Sequence, residues 1–215
     1  TKVTDLGLLI DDPALQHLSA VTPTFNSLEL RGVTYEYKSP DGACFKIGPI
    51  DLMLSAGEEL FIAGGNGSGK TTLAKLLTGL YVPKQGQVLL NGQLVTDGIR
   101  GNYRQLFSTV FVEGHIFDRL LGNDIDQARL RYWTKLLGIE AKVDFATGRL
   151  DTEKLSRGQY KRLSLLVACM DDRPIFVFDE WAAEQDPGFK DVFYRQILPE
   201  LRRRGKCVVA ITHDD

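Results

Sequence analysis

The sequence predicts an α/β fold with a parallel sheet at its core, and two observations lead to this prediction. Strand-like and helix-like segments alternate in the second half of the chain, which is typical of parallel strands joined by helical crossovers. Residues 175–178 and 206–211 are mostly apolar, as expected of strands covered on both faces. The 215 residues, 43% of them hydrophobic, suffice for one large domain with a small inserted subdomain.

The elements before this core predict an antiparallel β-subdomain. Short β-rich runs occupy residues 28–30, 33–37 and 45–53, the turn residues Ser39-Pro40-Asp41-Gly42 interrupt them, and another hairpin is expected at 87–91. Residues 59–63 predict a buried strand. A helix is expected from Thr71 to Leu77, ended by Gly79.

Residues from about 119 to 168 predict an inserted helical subdomain. Within it, residues 125–137 have an amphipathic pattern and residues 157–169 form a long helix with one apolar face. A further helix is expected from Pro187 to about residue 203, and Pro199 is expected to kink it.

Composition narrows the classes of partner and compartment. A formal net charge of -2 argues against nucleic acid or an acidic membrane as the main partner, and residues 202–204, all arginine, are interpreted as the solvated end of a helix. Cys44, Cys169 and Cys207 are an odd number without metal-ligand spacing, which indicates a reducing compartment. No stretch approaches the roughly 20 apolar residues that cross a bilayer, so the chain is expected to be soluble.

The strongest motif is GGNGSGKT at residues 64–71, called the phosphate loop below, which satisfies GxxxxGK[ST]. Glycines let its backbone N–H groups face phosphates, Lys70 supplies a point charge, and the Thr71 hydroxyl is a magnesium ligand. Because a strand precedes it and a helix follows, it predicts a P-loop NTPase with a RecA-like core rather than a chance glycine-rich turn. The expected nucleotide contacts are Gly65, Asn66, Gly67, Ser68, Gly69, Lys70, Thr71 and Thr72.

An acidic pair is expected to complete the metal site. Four largely apolar residues precede Asp179 and Glu180, so Asp179 is placed at the carboxyl end of a buried strand, where it can hold Mg²⁺. Glu180 follows and can face the water that attacks the γ-phosphate, whereas an isolated pair of acids would simply begin a solvated turn.

The segment LSRGQ at residues 155–159, called the signature segment below, resembles the LSGGQ signature of ATP-binding cassette (ABC) transporter nucleotide-binding domains. That resemblance implies that Ser156, Gly158 and Gln159 contact an ATP held by a second, identical cassette. Arg157 replaces the usual second glycine. Ser156 is also expected to be the N-cap of the helix that follows, a role compatible with the functional one.

The same resemblance assigns further residues. Tyr37 matches the aromatic that stacks on adenine, with Tyr35 as the alternative. Asp186 matches the aspartate that crosses the dimer interface, and His213 matches the switch histidine that contacts the γ-phosphate. The expected catalytic residues are therefore Glu180, His213 and Lys70. Where the family has a metal-coupling glutamine, this chain has Val112 or Glu113, depending on the alignment.

The phrases FDEWAAEQDP and ITHDD, with that missing glutamine, resemble bacterial ABC exporters of cyclic peptides and siderophore peptides. Residues 1–26 are then interpreted as a linker from an upstream membrane domain, and residues 27–215 as a C-terminally truncated ATP-binding domain at the cytoplasmic face of the inner membrane. The implied function is ATP hydrolysis by a head-to-tail dimer that powers export. The alternatives are a soluble ABC ATPase acting on nucleic acid or ribosomes, and a nucleotide-regulated module with little turnover.

Overall fold

The computed structural model describes residues 24–38, 44–111, 118–120, 125–153 and 155–212. Two compact units make up this part of the chain: one combines the described residues up to Ser55 with Thr72–Leu106, and the other combines Ala56–Thr71 with the described residues from Phe107 onward. Within the described ranges, no helix is both long and apolar enough to cross a membrane.

The strands, in chain order, are β1 (Ser27–Lys38), β2 (Cys44–Ser55), β3 (Glu59–Ala63), β4 (Gln85–Leu90), β5 (Gln93–Leu94), β6 (Phe107–Val110), β7 (Val143–Asp144), β8 (Arg149–Leu150), β9 (Ile175–Asp179) and β10 (Cys207–Thr212). The α-helices are α1 (Lys70–Leu77), α2 (Arg100–Arg104), α3 (Gln127–Leu137), α4 (Arg157–Asp171), α5 (Pro187–Val192) and α6 (Leu198–Arg203). Short 3₁₀ turns span Asp97–Ile99, Glu140–Lys142 and Trp181–Glu184, and a π-helical turn spans Phe193–Ile197.

The first unit contains an antiparallel sheet in the order β2-β1-β4-β5, which confirms the predicted β-subdomain. The two predicted runs at residues 28–30 and 33–37 belong to the single strand β1. Gly32, at a φ of +56°, lies where the pairing of β1 with β2 becomes irregular, and glycine tolerates this conformation without steric cost. The turn Asn91-Gly92, with positive φ at both residues, closes the predicted hairpin.

The second unit contains a four-stranded sheet in the order β3-β10-β9-β6, and every pairing in it is parallel. The predicted parallel core is confirmed, since β9 is buried along its whole length and β10 almost so. The expected burial of β3 was wrong: this strand lies at the edge of the described sheet, and Phe61 on it is 50% exposed.

Helices α3 and α4 confirm the two helices predicted between residues 125 and 169. The Asp126 carboxylate caps α3 by accepting a hydrogen bond from Arg129 N, and Gly138 ends the helix in the left-handed conformation. Both helices bury their apolar faces in one core with the strands, through residues that include Leu130, Trp133, Leu163, Leu166 and Phe178. The boundaries of the helical subdomain, about 119–168, stay a prediction.

The helical run predicted from Pro187 is observed, but it is not regular. It consists of α5, the π-helical turn and α6. Pro199 lies in the first turn of α6 and has no N–H to donate, so the regular hydrogen-bond pattern is interrupted in the turn before it. The basic cluster does end this run, yet its arginines bind carboxylates: Arg203 and Arg204 pair with Glu200, and Arg202 Nη1 lies 3.2 Å from Glu59 Oε2.

Candidate functional site

The phosphate loop lies in the second unit, where it follows β3 and leads into the first residues of α1, as the sequence predicted. Its backbone turns through Gly67 and Gly69, whose φ angles of +75° and +96° are conformations that residues with a Cβ rarely adopt. Gly65, Asn66 and Ser68 are exposed at the surface of the loop, and Thr72 follows in the first turn of α1. The loop therefore presents main-chain groups to solvent at the start of a helix, an arrangement suited to binding anions.

The Lys70 side chain is folded inside this loop. Its ammonium group donates hydrogen bonds to Gly64 O at 2.6 Å and to Gly65 O at 3.0 Å, and the residue is only 7% exposed. Carbonyl oxygens already hold the Lys70 ammonium in place, so its positive charge is preorganised. Little further side-chain conformational entropy is lost when an anion binds.

Thr71 and Asp179 meet although 108 positions separate them in the sequence. The Thr71 hydroxyl lies 3.3 Å from Asp179 Oδ1, and Asp179, at the end of β9, is only 2% exposed. A hydroxyl and a buried carboxylate are the hard oxygen donors that Mg²⁺ takes together with phosphate oxygens, so this pair fits the predicted metal. Among the described residues, no three His, Cys, Asp or Glu side chains form a metal-binding cluster.

Glu180 has an uncommon backbone conformation for a residue with a side chain. Its φ and ψ of +53° and +29° are left-handed, which costs roughly 1–2 kcal/mol for an L-residue. Its N–H donates to Ile211 O at 3.0 Å, and it lines a cavity of about 190 Å³ with Ala182, Ala183, Lys190, Tyr194, Ile211 and Thr212. The turn directs the chain away from the sheet directly after Asp179, the predicted metal ligand.

The signature segment forms the N-terminus of α4. Ser156 Oγ accepts a hydrogen bond from Gln159 N at 3.2 Å, and Gln159 Oε1 accepts one from Ser156 N at 3.0 Å, so the expected N-cap is confirmed as a complete capping box. Ser156 and Arg157 are exposed, and Gly158 is partly exposed. Because Ser156 Oγ accepts in this bond, its O–H can still donate a hydrogen bond to an anion.

Asp186 is the N-cap of α5 and joins that helix to α4. Its Oδ1 accepts from Phe189 N at 2.9 Å and its Oδ2 accepts from Arg162 at 2.7 Å. The hydrogen bond from Phe189 N and the charge of Arg162 hold the pKa of Asp186 below its usual value. Gln185, next to it, accepts from Arg162 and donates to Gly158 O at 3.3 Å. The signature segment is thus tied to the turn that follows Glu180.

The two candidate adenine-stacking tyrosines lie in the first unit and differ in their surroundings. Tyr35 is stacked on Tyr81, with ring centroids 4.7 Å apart and planes inclined by 14°, so one of its faces is covered. Tyr37 is 45% exposed and contacts Phe45 in a tilted arrangement. The greater exposure of Tyr37 favours it as the candidate for stacking on adenine. His213, Val112 and Glu113 lie outside the described residues.

Comparison with known protein families identifies the family of this chain. The ABC transporter family model matches residues 47–183, which include the phosphate loop, the signature segment and the acidic pair. The chain belongs to the ABC transporter family. It is therefore an ATP-binding cassette with the α/β P-loop NTPase fold.

Two relatives are similar to this cassette along most of its length. The ATP-binding protein SyrD of Pseudomonas syringae pv. syringae is 45% identical over 236 aligned residues, which cover 100% of this chain and 41% of SyrD. The macrolide export ATP-binding/permease protein MacB of Rhodopseudomonas palustris strain HaA2 is 31% identical, over 88% of this chain and 31% of MacB. This cassette thus spans less than half the length of either relative.

The fold is shared with a dimeric ATP-binding cassette in a post-hydrolysis state bound to ADP and Pi. The two chains superpose with a TM-score of 0.72 and 22% sequence identity, and the match covers 87% of this cassette and 88% of that chain.

Sequence reasoning missed one group of residues in this cassette. Lys161 is 5% exposed and donates to Glu180 O, and Trp181, the residue after Glu180, is 1% exposed and donates to Lys161 O. The sequence did hold a signal for Lys161, because it lies four and seven residues before Leu165 and Ala168 on the buried face of α4. A charged side chain on an apolar helix face needs a specific partner, so the sequence pattern alone could have predicted that Lys161 has one.

Proposed function

We propose that this cassette binds MgATP and hydrolyses it at a seam between two identical copies, and that hydrolysis powers export across the bacterial inner membrane. The observation that carries the proposal is the convergence of Lys70, Thr71 and Asp179, with Glu180 next in the chain. A buried cation, two oxygen ligands and an adjacent carboxylate are the parts that phosphoryl transfer to water requires.

Each residue has a distinct role in this proposal. Lys70 and the N–H groups of the phosphate loop bind and orient the β- and γ-phosphates. Thr71 and Asp179 would hold the magnesium ion, which neutralises charge on the phosphate oxygens when it is bound. Glu180 orients the attacking water and accepts its proton, and His213 contacts the γ-phosphate, so it senses whether that group is present.

The signature segment is proposed to act on the ATP of the second copy. Its hydroxyl and N–H groups lie at the exposed start of α4, a helix of 15 residues, where the helix dipole favours an anion. Asp186 is proposed to cross the same interface. An ATP clamped between two copies draws them together, and loss of the γ-phosphate removes contacts from both sides of the clamp.

This clamp can drive a conformational cycle if its contacts to the γ-phosphate contribute enough binding free energy. Moving a two-state equilibrium from 1:99 to 99:1 takes about 5.5 kcal/mol of differential binding free energy. Several charge-assisted hydrogen bonds to one γ-phosphate, at about 1.5–3 kcal/mol each, reach that amount. A membrane domain joined to each cassette would then alternate its access as the cassettes close and separate.

The exporter assignment is supported by the relatives rather than by the site. MacB is named as a macrolide export protein with an ATP-binding and a permease part, and SyrD is longer than this chain by more than twofold. We propose a peptide or siderophore-like substrate from the sequence resemblance described above. The near-neutral charge does not favour the alternative, an ABC ATPase acting on nucleic acid or ribosomes.

Mixed dimers test the shared seam. One protomer carries Lys70→Met, which removes the loop cation. The other carries Gly158→Asp, whose carboxylate suits a helix start but repels phosphate. If each signature serves the neighbour's ATP, a mixed dimer contains one intact site, and randomly paired protomers should recover about a quarter of wild-type phosphate release.

Each variant alone is the control, and both should be inactive. The experiment uses the complete polypeptide. The two variants carry different affinity tags, and co-purification through both tags measures the fraction of mixed dimers. Verified mixed dimers that release no more phosphate than the separate variants would show that each signature serves its own chain.

A further inference from the structure

The backbone of Glu180 is fixed on both sides of its Cα atom. On one side, its N–H donates to Ile211 O at 3.0 Å, which continues the parallel pairing of β9 with β10 by one residue. On the other side, its carbonyl oxygen accepts from Lys161 Nζ at 3.1 Å and from Ala183 N at 3.3 Å. Because the two peptide planes that meet at a Cα determine the direction of its Cβ, these bonds fix the direction in which the Glu180 side chain leaves the backbone.

The lysine that binds this carbonyl is itself held in place. Trp181, the residue after Glu180, donates its indole N–H to Lys161 O at 3.0 Å. The indole is 1% exposed and stacks on Phe193, with ring centroids 4.5 Å apart. Lys161 therefore contacts two successive residues, donating to Glu180 with its side chain and accepting from Trp181 with its main chain.

We infer that Lys161 is a positioning residue for ATP hydrolysis: with Trp181 it holds the left-handed turn that aims Glu180 at the attacking water. Three observations support the inference. The turn is one that a residue with a side chain adopts only when its surroundings impose it. Lys161 is only 5% exposed, so water has little access to its side chain. Lys161 also lies five residues after Ser156 on α4, so a displacement of the signature segment reaches Glu180 directly.

This inference rests on the proposed role of Glu180 as the general base. It adds that the same helix that offers Ser156 to the neighbour's ATP also sets the geometry of the base in its own chain. A base that is displaced by about 1 Å can lose about 100-fold in rate while substrate binding is kept. The expected effect of disturbing Lys161 is therefore on kcat and not on KM.

The test uses Lys161→Met in the complete polypeptide, because methionine keeps the apolar stem and removes the ammonium group. We expect kcat for ATP hydrolysis to fall about 10- to 100-fold with KM for ATP changed less than about twofold. Nucleotide recovered from the protein after incubation with radiolabelled ATP should be mostly unhydrolysed ATP. The thermal unfolding midpoint should stay near that of wild type, since removing a buried charge offsets the lost hydrogen bond.

Two further variants make the result specific. Lys161→Gln keeps a shorter, neutral donor, and its kcat should lie between those of wild type and Lys161→Met. Lys135→Met, an exposed lysine of α3 in the same unit, should behave as wild type. If Lys161→Met does not fold, Trp181→Phe keeps the aromatic stack, removes the donor to Lys161 O and should lower kcat in the same direction by a smaller factor.

Three results would overturn the inference. A wild-type kcat for Lys161→Met, in a preparation where Glu180→Gln is inactive, removes Lys161 from the mechanism and leaves the proposed function standing. Parallel losses of ATP binding, kcat and unfolding midpoint make Lys161 a residue that supports the fold. Full turnover by Glu180→Gln removes the base itself, and with it both the proposed mechanism and the role of Lys161.

Discussion

The phosphate loop and the signature segment are both glycine-containing starts of helices, yet they are built differently. The loop depends on residues brought together by tertiary structure, since Lys70 is buried within it and Thr71 reaches Asp179 across 108 positions. The signature segment depends on local contacts, since Ser156 and Gln159 cap each other over three positions and Ser156 is exposed. One region holds its charged groups inward, and the other presents its polar groups outward.

That difference indicates a division of labour within the proposed site. A preorganised cation and an oxygen pair can bind a triphosphate within one chain. An exposed helix start binds whatever anion is placed against it, so its ligand is decided by the neighbour in an assembly. Substitutions in the loop should therefore affect nucleotide binding by a single chain, and substitutions in the signature segment should affect only the assembled state.

The largest effect is expected beside the loop, at Glu180→Gln. Loss of the proposed base should lower turnover by about 100- to 10,000-fold while ATP binding is kept, because glutamine is nearly isosteric with glutamate but cannot accept the proton. Phosphate release measures turnover, and size-exclusion chromatography with ATP should show closed dimers accumulating. Turnover near the wild-type rate in a pure preparation would remove Glu180 from catalysis.

The next largest effect is expected within the loop, at Lys70→Met. Losing the buried cation should weaken ATP binding by about 10- to 100-fold, the effect of removing one or two charge-assisted hydrogen bonds. Equilibrium titration with a fluorescent ATP analogue measures the affinity. Lys84→Met, an exposed lysine of the first unit, is the matched control and should bind as wild type. An unchanged affinity for Lys70→Met would mean that the loop does not use this cation.

Ser156→Ala tests the other side of the comparison. Turnover of the complete polypeptide should fall about 10-fold, because a donor to the developing charge is lost, while ATP affinity of the separated protomer should change less than about twofold. Ser164 lies on the same helix and donates to Tyr160 O within it, so Ser164→Ala is the control for helix stability. Equal losses of affinity and turnover at Ser156 would place its role within its own chain or in the fold.

The smallest effect is expected at the aromatic residue that is proposed to stack on adenine. Tyr37→Ala should weaken ATP binding by about 2- to 10-fold, the range expected for one stacking contact. Tyr35→Ala should have a smaller effect on ATP affinity, because Tyr35 is already stacked on Tyr81. The reverse order of affinities, measured in the same titration, would assign the adenine contact to Tyr35.

Much of the fold could be predicted because its signals are local. The turn residues, the apolar run of β9 and the helix caps each lie within a few positions of what they determine. The burial of β3 could not be predicted, because the same five residues can form a central strand or an edge strand. That choice depends on which strands pair with it, and here only β10 does among the described strands.

The site follows the same rule. The phosphate loop, the acidic pair and the signature segment could each be located from residue type and spacing, since each motif is continuous in sequence. The contact of Lys161 with Glu180 could not be predicted, because it joins two elements across 19 positions. Its acceptor is a main-chain oxygen, which every residue has, so the residue type does not reveal it. The Arg162–Asp186 pair is of the same kind, with 24 positions between its members.

The sequence by itself indicated the chemical class proposed for this protein: a loop expected to bind phosphates, an acidic pair expected to hold the metal and activate water, and a helix start expected to make a second phosphate contact. Tertiary structure alone decided how these parts are aimed. The left-handed turn at Glu180, its carbonyl on Lys161 and the indole of Trp181 on the same lysine are set by packing between β9, β10 and α4. The physical reason is that side-chain direction depends on hydrogen bonds made by both neighbouring peptide groups, and those partners come from distant parts of the chain.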